Sequence, residues 1–142
     1  NLLEKKMTAS QIRKAELLVR RWDPILKLAK QGDINAQFKL GLRYELGHGV
    51  PQNNQEAAKW YQLAAEKGLA EAQFNLATMY WEGHGIGKNY LEAYKWFHLA
   101  SVYGLNEAQT NRKLLEKQMT ALQLREAQLL IKEWKPKERG WF

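Results

Sequence analysis

Apolar and polar positions alternate along this chain with the period of an α-helix, and the same alternation returns thirty-six residues later. Ala36, Leu40 and Tyr44 fall at i, i+4 and i+8, and Ala72, Leu76 and Tyr80 repeat that stripe. Such spacing predicts an amphipathic helix with one buried face. A second stripe succeeds each of the first: Ala57, Trp60 and Ala64, then Ala93, Trp96 and Ala100. Small alanines let two helices approach closely, and the tryptophan is expected to fill the gap beside them. Each unit therefore reads as a pair of helices.

The punctuation agrees with this reading. Gly47 and Gly83 stand where a C-cap glycine ends the first helix, and Gly49 and Gly85 continue the turn. Asn53 and Asn89 are good N-caps for the second helix. Glu56 and Glu92, three residues on, make a capping-box arrangement with Asn in place of Ser or Thr. Gly68 and Gly104 close the units. A fixed period of this length marks a solenoid, whose units bury their apolar faces only by stacking on neighbours.

The pattern Gly32, Ala36-Gln37, Leu40-Gly41, Tyr44, Gly47, Gly49-Val50, Asn53, Ala57, Trp60-Tyr61, Ala64-Ala65, Gly68 resembles the Sel-one-like repeat, a relative of the tetratricopeptide repeat. The second copy matches nearly as well, with Ala77 in place of Gly41. Asn53 and Asn89 replace an Asp common in the family, a swap that keeps the capping. The resemblance implies an all-α fold, a right-handed superhelix of stacked antiparallel helix pairs.

The flanks carry a second repetition. Residues 2–24, LLEKKMTASQIRKAELLVRRWDP, return as 114–136, LLEKQMTALQLREAQLLIKEWKP. Thr8 with Gln11, and Thr120 with Gln123, form capping boxes. Ala15 with Leu18, and Ala127 with Leu130, are expected on buried faces. Trp22 and Trp134 end these helices, because Pro24 and Pro136 oppose helical geometry in the residue before them. Asp23-Pro24 then opens a short helix reaching Gln31-Gly32. A single solenoid domain is expected, with a partial repeat and linking helix (1–31), repeats at 32–67 and 68–103, and a degenerate repeat with a capping helix (104–142). A closing-helix signature at both ends suggests a piece of a longer array.

Charge refines this picture only slightly. The net +7 is uneven: residues 1–30 hold eight Lys/Arg against three Asp/Glu, residues 31–110 six against eight, and residues 111–142 eight against four. The basic residues stand beside acidic ones, as in Glu4-Lys5-Lys6 and Arg125-Glu126. That is a solvated helix face rather than a phosphate-tracking stripe, and nucleic acid is not the expected partner. The chain has no cysteine, which excludes disulfides and thiolate metal sites and separates it from relatives with a cysteine pair per repeat. No apolar run is long enough for a membrane span. A bacterial periplasmic or secreted location stays open if an upstream signal has been removed.

Catalytic chemistry is thinly supplied. Two serines, two aspartates and three histidines make up the inventory beside the helical glutamates. No phosphate loop or strand–turn–helix nucleophile elbow is present. No enzyme activity, cofactor or metal is therefore expected. His48 and His84, in matching Gly-His-Gly turns, could share zinc with Glu45 or Glu82 only if the loops bent together, since stacked helices stand about 8–10 Å apart. His98 is expected to be a partly exposed helical residue.

On tetratricopeptide-like solenoids the first helix of each unit lines a concave groove. By that resemblance the groove residues are Asn35, Phe38, Leu42 and Glu45, then Glu71, Phe74, Thr78 and Trp81. Glu107, Thr110, Leu114 and Lys117 continue the register. Phe38 and Phe74 recur, so packing between adjacent first helices competes with binding. Trp81 aligns with Glu45 and Lys117, so the repeat does not demand an aromatic there. The expected function is a non-catalytic protein–protein interaction scaffold holding a peptide or protein in this groove. The alternative is a polyanion or membrane-surface binder acting through the basic terminal helices, with a hydrolase ranked last.

Overall fold

The computed structural model describes residues 8–138, with side chains 18–22 outside the description. Leu18, expected on a buried face, falls in that gap, whereas the first helix does end at Trp22. Eight α-helices and no strand occur among the described residues. They are α1 (Ala9–Trp22), α2 (Pro24–Lys30), α3 (Ile34–Leu46), α4 (Asn54–Glu66), α5 (Ala70–Glu82), α6 (Tyr90–Val102), α7 (Glu107–Glu116) and α8 (Ala121–Glu133). Consecutive helices from α2 to α7 pack on one another, and α8 folds back onto α6.

The local signals act as the sequence predicts. Gly47 and Gly83 end α3 and α5 in the left-handed region, at φ 71° and 75°, where a side chain would strain the backbone. Thr8 and Thr120 form reciprocal capping boxes with Gln11 and Gln123. Asn53 and Asn89 accept from the backbone N–H groups of Glu56 and Glu92. The return half of that box is absent, because the Asn53 N–H donates to the Tyr44 carbonyl and the Asn89 N–H to Tyr80. The glutamates turn instead to Lys59 and Lys95.

The core runs along the alanine stripes. Ala57, Ala64, Ala72, Ala93, Ala100 and Ala108 are fully buried, as are Leu76 and Ala77. Tyr61 and Phe97 fill the centre of the two repeats at 0% exposure, a role that the sequence pattern assigns to Trp60 and Trp96. Trp96 is buried, whereas Trp60 is only half-buried. The C-terminal segment makes the difference. Trp134 stands edge-on to Trp96 at 5.9 Å and to Tyr103 at 6.0 Å. Beyond it, Lys137 donates from its backbone to the Glu66 carbonyl at 2.7 Å and from Nζ to the Glu66 carboxylate at 2.6 Å. Burial raises the Glu66 pKa, but the hydrogen bonds from Lys137 and Gln62 outweigh it and hold the carboxyl below its ordinary value.

Two buried glutamines join the units. Gln37 Nε2 donates to the Ala29 carbonyl at 3.2 Å, and Gln73 Nε2 to the Ala65 carbonyl at 3.1 Å. Ala29 thus plays the part of Ala65, and α2 corresponds to the last two turns of a second helix. The missing first turns explain a contrast between two glycines. A Cβ on Gly85 would lie 2.4 Å from the Asn54 carbonyl oxygen at the start of α4, while one on Gly49 would meet open space.

Candidate partner-binding face

The eight residues expected to line the groove lie on one face of α3 and one face of α5, three or four residues apart. Asn35 and Glu71 are exposed, and the other six are partly buried. Each aromatic residue among them rests on the large ring buried in its own repeat. Phe38 tilts against Tyr61 with centroids 5.8 Å apart. Phe74 and Trp81 both meet Phe97 edge-on, at 5.6 Å and 5.7 Å.

Glu45 and Trp81, which share a register position, do different work. In the first repeat the Tyr61 hydroxyl donates to the Glu45 carboxylate. Burial, then the bond to Glu45 and its negative charge, push the Tyr61 pKa far up, so the phenol stays protonated and remains the donor. In the second repeat Phe97 has no hydroxyl, and the partner position carries Trp81. The indole N–H of Trp81 reaches across to Gln118 Oε1 at 2.7 Å. Trp81 and Gln118 then border a shallow cavity of about 310 Å³ with Glu82, Lys88 and Tyr90. Thr78 donates its hydroxyl to the Phe74 carbonyl at 3.0 Å, which satisfies its polar atom within the helix.

The continuation onto α7 is less ordered by packing. Glu107, Thr110, Leu114 and Lys117 are all exposed. Neither Tyr61 nor Phe97 nor Gln118 stands out in a reading of single positions. Only the register comparison of 41, 45 and 61 with 77, 81 and 97 reveals that they belong together.

The remaining chemistry-bearing side chains are scattered. His48 is exposed, and His84 Nδ1 lies 3.1 Å from Glu82. No three histidine or acidic side chains gather in a metal-binding arrangement among the described residues. Ser101 donates to the His98 carbonyl at 2.6 Å. His98 Nδ1 is 3.0 Å from Arg112, and burial together with that positive charge lowers its pKa.

Helix pairs of nearly equal length, stacked by a repeated glutamine and a repeated turn, define an all-α repeat solenoid. The repeats are Sel1 repeats: the Sel1 repeat family model matches residues 34–69 and 70–101. Among solved structures, the chain is similar to c5321, a protective antigen of uropathogenic Escherichia coli strains displaying an SLR fold. The TM-score is 0.75 at 33% identity, over 89% of this chain and 30% of that one. It is also similar to a Sel1 repeat protein from Oxalobacter formigenes, with a TM-score of 0.67 at 36% identity, over 82% of this chain and 54% of that one. The chain thus spans well under two thirds of either relative. Comparison with curated proteins gives no significant match. Sel1 repeat proteins are typically non-catalytic scaffolds for protein–protein interaction.

Proposed function

We propose that this chain is a non-catalytic scaffold that holds a peptide or protein segment along the face formed by α3 and α5. The observation that carries this reading is the mounting of Phe38, Phe74 and Trp81. Each keeps part of its ring exposed while a fully buried ring beneath fixes its position. Rigid, half-exposed aromatics flanked by polar side chains such as Asn35, Glu45 and Glu71 suit an anchor-and-rim interface, where little side-chain entropy is lost on binding. Leu42, partly buried on the same face, extends the apolar strip.

The test is capture from native extract with the wild-type chain and with an Asn35→Lys/Glu71→Lys variant. These two positions are exposed, so the variant leaves the packing on Tyr61 and Phe97 intact. A protein retained by the wild type and lost by the variant supports the face as the recognition site. The same proteins retained by both, with retention that collapses as salt is raised, would refute it in favour of the basic terminal helices.

A further inference from the structure

A cavity of about 340 Å³ opens between α4 and α5, on the side of α5 facing away from Phe74 and Trp81. Leu76 and Tyr80 line it from α5, and helical geometry places them roughly opposite positions 74, 78 and 81. Ala58, Lys59 and Gln62 line it from α4, and Ile86 from the turn. This size lies at the lower end of the range typical for ligand pockets.

The second repeat shows what this space is shaped to hold. Thirty-six residues after Ala58 stands Tyr94, buried between α6 and α7 at 5% exposure. Its hydroxyl donates to Glu116 at 3.0 Å, and Arg112 lies over its ring at 6.0 Å. Glu116 and Arg112 are the register counterparts of Tyr80 and Leu76. One interface between units is therefore closed by an aromatic ring from the second helix. Its neighbour has Ala58 at that position and takes its ring from the facing helix instead, with Tyr80 where the other interface has Glu116, yet the cavity beside Ala58 stays open.

The rim charge differs in the same way. Lys95 is drawn in, 2.8 Å from Glu92 and 4.5 Å from the Trp96 ring centroid, with a side chain only 12% exposed. Its counterpart Lys59 is 72% exposed, with only a looser contact of 3.3 Å to Glu56. It is the one charged side chain lining the cavity. An exposed, loosely paired cation beside an apolar recess complements a carboxylate attached to a ring.

We infer that this cavity is a second binding site, separate from the α3–α5 face, which takes an aromatic side chain adjoining a carboxylate from a protein partner. The ring replaces the one that Ala58 omits, and the carboxylate meets Lys59. A chain terminus ending in an aromatic residue, or an aromatic residue beside an acidic one, supplies both groups.

The experiment is an amide-resolved NMR titration of the whole chain with N-acetyltyrosine and, in parallel, with N-acetylleucine. N-acetyltyrosine is expected to shift the amides of Ala58, Leu76, Gly85 and Ile86, with N-acetylleucine at least several-fold weaker. Lys59→Gln should weaken the response several-fold. Ala58→Tyr, which supplies the missing ring from within as Tyr94 does, should abolish it. Ala58→Leu serves the same purpose if the tyrosine variant does not fold. Absence of these shifts in the wild type, equal shifts with both probes, or shifts that survive the filling variants would overturn the assignment.

Discussion

Substituting Gly41 with alanine tests how the first repeat is packed, because two opposing effects are known in size. Gly41 lies within α3 at an ordinary helical position, so alanine should gain about 1 kcal/mol of helix propensity. Against this, the new Cβ would lie 2.6 Å from both Cδ1 and Cε1 of Tyr61, well inside contact. The ring cannot slide away freely, since its hydroxyl is bound to Glu45 and its face carries Phe38. Overpacking of this kind costs about 1–3 kcal/mol. If the ring swings out, a hydrogen bond to a charged group worth about 1.5–3 kcal/mol is lost instead. Gly41→Ala should therefore destabilise the chain by up to about 2 kcal/mol net of the propensity gain. Urea unfolding monitored by far-ultraviolet circular dichroism would read this directly. The second repeat supplies the control, because there Ala77, Trp81 and Phe97 occupy the same three positions without conflict. The triple variant Gly41→Ala/Glu45→Trp/Tyr61→Phe should recover at least half of the loss, and Glu82, in the register place of Gln118, offers an acceptor for the new indole. A Gly41→Ala protein more stable than the wild type would refute the argument.

Three further outcomes are expected from the same geometry. Gly49→Ala and Gly85→Ala both force alanine into left-handed backbone, at φ 75° and 77°, but only the second drives a Cβ into the Asn54 carbonyl. Gly85→Ala should cost at least about 1 kcal/mol more in urea titrations, and equal losses would remove the loop–helix contact from the account. His98 is held below its ordinary pKa by burial and by Arg112, so folding favours the neutral ring. Its contribution is complete above the unfolded value of about 6.5 and is lost as the pH falls towards the folded one. Thermal melts from pH 7.5 to about 5 should therefore fall less steeply for His98→Asn than for the wild type, and parallel slopes would contradict this. Trp134→Ala removes the rings facing Trp96 and Tyr103. It should cost roughly 2–4 kcal/mol and shift the emission of Trp96 to the red, whereas a loss under about 0.5 kcal/mol would mean that the C-terminal segment does not close the array.

Most of the architecture was legible because the repeat states each rule twice. Gly47 with Gly83 fixed the ends of the first helices, and Asn53 with Asn89 fixed the starts of the second. What escaped was contact between positions distant in sequence. Tyr61 and Phe97 differ by a single hydroxyl and look like mere neighbours of the tryptophans that recur in register. Only packing shows that they, and not Trp60, fill the core. The return of residues 135–138 to Glu66 was equally hidden, since Lys137 is one of many exposed lysines in a charged tail. The capping-box expectation for Asn53 failed in half for a comparable reason: the Tyr44 carbonyl, nine residues back, claims the N–H first.

Departures from register carry different weight once their surroundings are known. Trp81 departs from Glu45, but Phe97 departs from Tyr61 and Ala77 from Gly41 in the same unit. The aromatic pair Trp81–Phe97 replaces the polar pair Glu45–Tyr61, so packing alone accounts for an aromatic at 81. Its candidacy as an anchor rests on the exposure it keeps and on the bond to Gln118 that holds it. Ala58 departs from Tyr94 with only partial compensation, Tyr80 standing where the next interface has Glu116. Tyr80 brings a ring from α5 but lines the cavity without filling it, and Lys59 is not drawn in as Lys95 is. In a solenoid each interface between units is an independent copy of one packing problem. A change answered within the interface is a second solution to that problem, whereas a change answered only in part leaves a cavity for another molecule to fill.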